Sequence, residues 1–152
     1  MRLVLDTIID CSRDKVWRAF DNPHNMSKWM QGFESFEPQD GTPGQPGAVS
    51  KLTFNENGRR IEFTETITVR NEPEEFSGTY TGTNFCNSIR NQFESLPGGK
   101  TRWLSETDMQ FSGFMRLMSL IAKPMIRKRV AADMERFKTL LEAGELSLDR
   151  SY

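Results

Sequence analysis

Between Gly32 and Phe111 the apolar residues recur with a period of two, and from Gly113 to about Ala143 they recur at helical spacing. This switch constrains the fold more than any other feature of the chain. A period of two describes strands with one buried face, and the helical period that follows describes one long helix for that face to bury against. Asn57-Gly58 sits between two alternating stretches, Ala48 to Asn55 and Arg60 to Arg70. Both turn residues tolerate positive φ, so the pair predicts a tight hairpin of adjacent antiparallel strands.

Turn-forming clusters at 40–47, 71–74 and 96–99 divide the rest into Phe33–Glu37, Phe76–Thr83, Phe85–Ser95 and Lys100–Phe111, a meander. Upstream, Leu3, Leu5, Thr7 and Ile9 alternate in a first strand. Ser12 then stands at an N-cap with Asp14 in the first turn, ahead of Val16, Trp17 and Phe20 on one helical face. Pro23 opens a second short helix carrying Met26, Trp29 and Met30. Gly144 is a C′ stop for the long helix, and residues 145–152 read as a frayed tail behind one domain, residues 1–144. The expected class is α+β: a curved antiparallel sheet of about seven strands, two short helices and a long C-terminal helix. Trp17 and Trp29 are expected to be buried between the short helices and the sheet or long helix.

At 152 residues the chain can bury a real core. Lys+Arg (20) nearly balance Asp+Glu (21), which argues against nucleic acid as a partner and against retention on an anionic membrane by net charge. Two distant cysteines, Cys11 and Cys86, make neither a disulfide framework nor a zinc site. The apolar stretch Phe114 to Ile126 is broken by Arg116, Ser119, Lys123 and Pro124, too short for stable membrane insertion. The first ten residues have a strand pattern rather than that of a signal peptide, so the cytoplasm is the expected compartment.

Specific segments carry a resemblance. Ser12-Arg13-Asp14-Lys15-Val16-Trp17 continues to Phe20-Asp21-Asn22-Pro23 and then Trp29. Gly47 precedes the third strand, Glu72-Pro73 precedes the fifth, and Phe137-Lys138-Thr139-Leu140-Leu141-Glu142 closes the last helix. Together with the element order, these resemble the START/polyketide cyclase-like (SRPBCC, birch-pollen-allergen-like) superfamily. The resemblance implies a helix-grip fold. Its members include lipid carriers, polyketide cyclases, hydrolases and chaperone regulators, so the fold does not choose the function.

Alternation assigns the faces. In the fourth strand Ile61, Phe63, Glu65, Ile67 and Val69 point inward, and Arg60, Glu62, Thr64, Thr66, Thr68 and Arg70 outward. A buried Glu65 must be paired, hydrogen-bonded, protonated or wet, unless it lies at a solvated strand end or a bulge. Neighbouring rows mix Phe and Trp with amides and hydroxyls, as a mostly apolar cavity with a few orienting polar groups would. The expected ligand-facing set is Phe63, Glu65, Tyr80, Asn87, Ile89, Asn91, Trp103, Ser105 and Thr107 from the sheet and Met115, Ser119 and Ala122 from the helix. Gly78 leaves room beside Tyr80 or permits a bend. The competing reading is a packed core with polar residues near strand ends.

On the helix Phe114, Leu117 and Ile121 form a second apolar face, to be covered by the short-helix pair, a second subunit or a membrane. Pro124 should kink the helix there, and Arg127-Lys128-Arg129 is either a solvated face or a seat for an anion. His24 is the only histidine, and it stands outside any nucleophile motif. No metal site, cofactor or phosphate loop is read.

Three functional readings follow. The first is binding, and possible transport, of a small hydrophobic or amphipathic ligand between sheet and helix. The second is a cyclase/dehydratase-like enzyme using Glu65 and Tyr80 beside Asn87. The third is an interaction module of the chaperone ATPase activator type, docking or dimerising through Phe114, Leu117 and Ile121.

Overall fold

The computed structural model describes residues 1–150. Its elements are β1 (Arg2–Ile9), α1 (Arg13–Asp21), a 3-10 turn (Pro23–Asn25), α2 (Met26–Trp29), β2 (Phe33–Asp40), β3 (Val49–Glu56), β4 (Arg59–Asn71), β5 (Glu75–Thr81), β6 (Phe85–Leu96), β7 (Lys100–Phe111) and α3 (Phe114–Glu142). The strands form one curved antiparallel sheet in the order β1-β7-β6-β5-β4-β3-β2. β2 to β7 are therefore a meander, and β1 closes onto its far end. The fold class is the α+β arrangement expected from the pattern.

Local chemistry explains the element ends. The Ser12 side chain accepts the Lys15 N–H at 3.4 Å, and Asp14 pairs with Arg18 one turn on. Asn57 and Gly58 take φ of 53° and 84°, the conformation of a tight hairpin turn, and Glu56 pairs with Arg59 across it. At the far end of α3, Gly144 has φ 74°, and the Glu145 N–H reaches back to the Leu140 carbonyl at 2.9 Å. α3 continues through Pro124 without a break in the helix.

One half of the space between sheet and α3 is filled by rings. Trp103 stands within 5.2–6.2 Å of Phe20, Trp29, Phe93 and Phe137, mostly edge to face. Trp17 and Trp29 are both buried, and Met134, Phe137 and Leu141 close the group from α3. This half is a packed core.

Two expectations are corrected. A bulge between Ile67 and Val69 breaks the alternation of β4, so Val69 is outside and Arg70 turns inward. Arg70 binds both carboxylate oxygens of Asp21, at 2.6 and 2.8 Å, and lies over the Trp17 ring. The tail is also not frayed over its described residues. Leu146 is buried in the aromatic core, and Asn25 exchanges hydrogen bonds with the backbone of Ser147. Residues 151 and 152 lie outside the described residues.

Candidate ligand-binding site

In the other half of the sheet's inner face most side chains are half-buried, and a row of polar groups crosses it. Ser50 on β3 faces Glu65 on β4, Glu65 faces Tyr80 on β5, and Tyr80 faces Asn87 on β6. The Tyr80 hydroxyl donates to Glu65 Oε2 at 2.6 Å. Glu65 is only 4% exposed. Burial pushes its carboxyl above the ordinary value of 4.5, and the Tyr80 bond acts in the opposite sense. The buried carboxylate of α1 is paired differently. Asp21 is met by a guanidinium, whereas Glu65 is met by a neutral phenol. Asn87 Oδ1 is buried and has no hydrogen-bond partner among the described residues.

Apolar groups frame this row. Phe33, Phe54, Phe63 and Phe85 form a chain of rings with centroids 4.9–5.7 Å apart. On the other side Asn87 faces Met109, and Met109 lies at the base of a cleft of about 840 Å³ between the end of β7 and the first turns of α3. Phe111, Arg116, Leu117, Ser119 and Leu120 also line this cleft.

The structure divides the expected ligand-facing residues. Phe63, Glu65, Tyr80, Asn87 and Ile89 share the open half, all but Glu65 half-buried. Trp103 belongs to the packed half, where its Nε1 donates to Asn91 Oδ1 at 2.9 Å. That bond occupies the amide oxygen of Asn91, and Ser105 and Thr107 are buried beside it on β7. Ser119 reaches the cleft, but its hydroxyl donates to the Arg116 carbonyl of its own helix at 2.7 Å. Met115 is 41% exposed and Ala122 half-buried. Gly78 does not leave room: a Cβ there would press on the Thr66 carbonyl at 3.0 Å, beside the bulge.

Ser50 was missed. Counting equally away from the Asn57-Gly58 turn places it opposite Glu65, so the signal was present in the hairpin register. Arg70 had no such signal. His24 is exposed, with its N–H bound to Asn22 Oδ1. Among the described residues no three His, Cys, Asp or Glu side chains converge to hold a metal ion.

Chemically, the row offers a carboxyl held toward its protonated form, a phenol and an amide oxygen within an aromatic surround. Such a set orients a polar end while apolar walls hold the remainder of a molecule. Solved structures share this fold. Ara h 8.0201 superposes with a TM-score of 0.74 at 19% identity, covering 94% of this chain and 98% of its own. A protein from Thermus thermophilus gives 0.76 at 12% identity, over 95% and 99% of the two chains. A START superfamily protein from Mycobacterium smegmatis gives 0.69 at 14% identity, over 94% and 95%. A search of curated proteins finds no match. The model of the family described as polyketide cyclase/dehydrase and lipid transport matches residues 2–142, which is nearly the whole chain. This chain belongs to that family, whose fold binds hydrophobic ligands.

Proposed function

We propose that the chain binds, and carries, a small amphipathic molecule whose apolar body lies against Phe63 and Ile89 and whose polar end meets Glu65, Tyr80 and Asn87. The observation that carries this reading is Glu65, a carboxyl 4% exposed that takes its hydrogen bond from a neutral phenol in an otherwise aromatic setting. A group so costly to bury gains a purpose if it orients a ligand. The unpartnered Asn87 oxygen supports the same end, since a ligand donor would satisfy it.

The test is mass spectrometry of organic extracts from the purified protein, with Tyr80→Phe and Asn87→Leu prepared in parallel. The expected result is a molecule with an apolar body and a polar end, depleted roughly five- to tenfold in each variant, as for one lost hydrogen bond. An empty extract, together with no binding of a fluorescent fatty acid, would overturn the proposal.

A second reading is favoured by one distance. At 2.6 Å Glu65 and Tyr80 are close enough to pass a proton, and burial raises the Glu65 carboxyl above its ordinary value. An enzyme of the cyclase/dehydratase kind would use that pair. Incubating the extracted molecule with protein in D₂O discriminates the two. Deuterium entering a carbon position marks catalysis, and its absence leaves a carrier.

A further inference from the structure

The first half of α3 exposes apolar residues of a size that water does not favour. Phe114, Leu117, Leu120, Ile121 and Met125 are each 71–83% exposed. At 100° per residue these five form one broad stripe, with Leu120 on its edge, and Arg116, Lys123 and Arg127 form a row along the flank beside Leu120. Lys128 lies one turn beyond the stripe.

Charge is segregated in the same place. From Met109 to Ala132 the sequence holds five cations and no carboxylate, which leaves fifteen Lys+Arg against twenty-one Asp+Glu elsewhere. Arg129 is committed to Glu56 and to the Gln31 carbonyl, and Arg127 reaches the Val4 carbonyl at 3.3 Å. Among the described residues no carboxylate pairs with Arg116, Lys123 or Lys128.

From this arrangement we infer that the first half of α3 docks on an anionic lipid bilayer, lying in the interface with the Phe114–Met125 stripe turned toward the acyl chains. A helix with an apolar stripe flanked by cations has this geometry at membrane surfaces. The helix does not cross, because among the described residues no helix is long and apolar enough to do so. Charge complementarity chooses the bilayer over a second copy of the chain. In a twofold dimer the same patch meets itself, and residues 109–132 hold no carboxylate to receive its cations. An anionic surface instead attracts every Lys and Arg brought near it. Leu117 and Leu120 also line the cleft, so docking would set the cleft against lipid.

Docking stands on the helix alone and is read without a pocket ligand. The experiment is flotation of the purified protein with vesicles of phosphatidylcholine, with and without phosphatidylserine, at low and high salt. Binding should require phosphatidylserine and fall with salt. Lys123→Gln with Lys128→Gln should weaken it about thirty-fold, as expected for two lost surface cations. Leu117→Ser with Ile121→Ser should abolish it while the circular dichroism and melting temperature stay unchanged, since both side chains already face water. Binding that ignores lipid charge, or no binding, would overturn the inference. So would loss of flotation through a stable dimer seen in sedimentation. Tyr80→Phe should still float, which keeps a failure of docking separate from a failure of ligand binding.

Discussion

Asn25 ties the C-terminal segment to the short helices. It is fully buried, and its Nδ2 donates to the carbonyls of Ala19 and Ser147 at 2.9 and 2.8 Å, while its Oδ1 accepts the Ser147 N–H at 2.9 Å. These bonds hold residues 145–150 against the short helices, with Leu146 seated in the aromatic core. Asn25→Ala removes all three at a net cost of about 0.5–1.5 kcal/mol each, or about 1.5–4.5 kcal/mol together. Against a typical domain stability of about 5–15 kcal/mol, this is a large fraction. With a urea slope of about 2 kcal/mol per molar, the unfolding midpoint should fall by about 1–2 M. Asn25→Asp separates hydrogen bonding from packing, since it keeps size and one acceptor. It turns a carboxylate oxygen toward two carbonyls, so it should be worse than Ala at neutral pH. At acid pH the protonated carboxyl can donate to one of them, and the gap should close. Urea unfolding of the three proteins at about pH 7 and about pH 4 reads both effects. An Ala midpoint within about 0.3 M of the parent, or an Asp variant no worse than Ala at neutral pH, would refute the clamp.

Burial raises the Glu65 carboxyl above 4.5, so from about that pH upward the folded chain keeps a proton that the unfolded chain has released, and stability falls as pH rises toward the raised value. Glu65→Gln should therefore gain stability relative to the parent at about pH 7.5 and lose that advantage at about pH 4, and an equal difference at both pH values would refute it. Trp103→Phe should strand the buried Asn91 oxygen and cost about 1–3 kcal/mol beyond the lost ring area, and adding Asn91→Leu should recover part of the loss in a double-mutant cycle by urea unfolding. Arg70→Lys keeps the charge but loses the two-pronged contact with Asp21 and the stacking on Trp17, so thermal unfolding should show a loss of about 1–3 kcal/mol.

Sequence alone determined the elements and their order. Period-two alternation, the Asn57-Gly58 turn, the Ser12 cap and the Gly144 stop are local features, and local sterics and hydrogen bonding decide them wherever the chain lies. Glu65 was legible for the same reason, because alternation within β4 holds from Ile61 to Ile67 and carries it inward. Tertiary structure decided the rest. Which donor meets Glu65 depends on the β4–β5 register, and Tyr80 is placed there by a pairing that no single strand contains. Arg70 turns inward because one extra residue at a bulge reverses the faces beyond it, an event invisible to a periodicity that assumes none. The polar sequence after Gly144 reads as a tail until Asn25, far away in the chain, satisfies the Ser147 backbone. The inner face likewise splits into a packed aromatic half and an open polar half only when α1, α2 and the C-terminal end of α3 bring their rings to one end of the sheet. Alternation names the residues on a face, but long-range packing decides which of them is filled over and which stays half-buried.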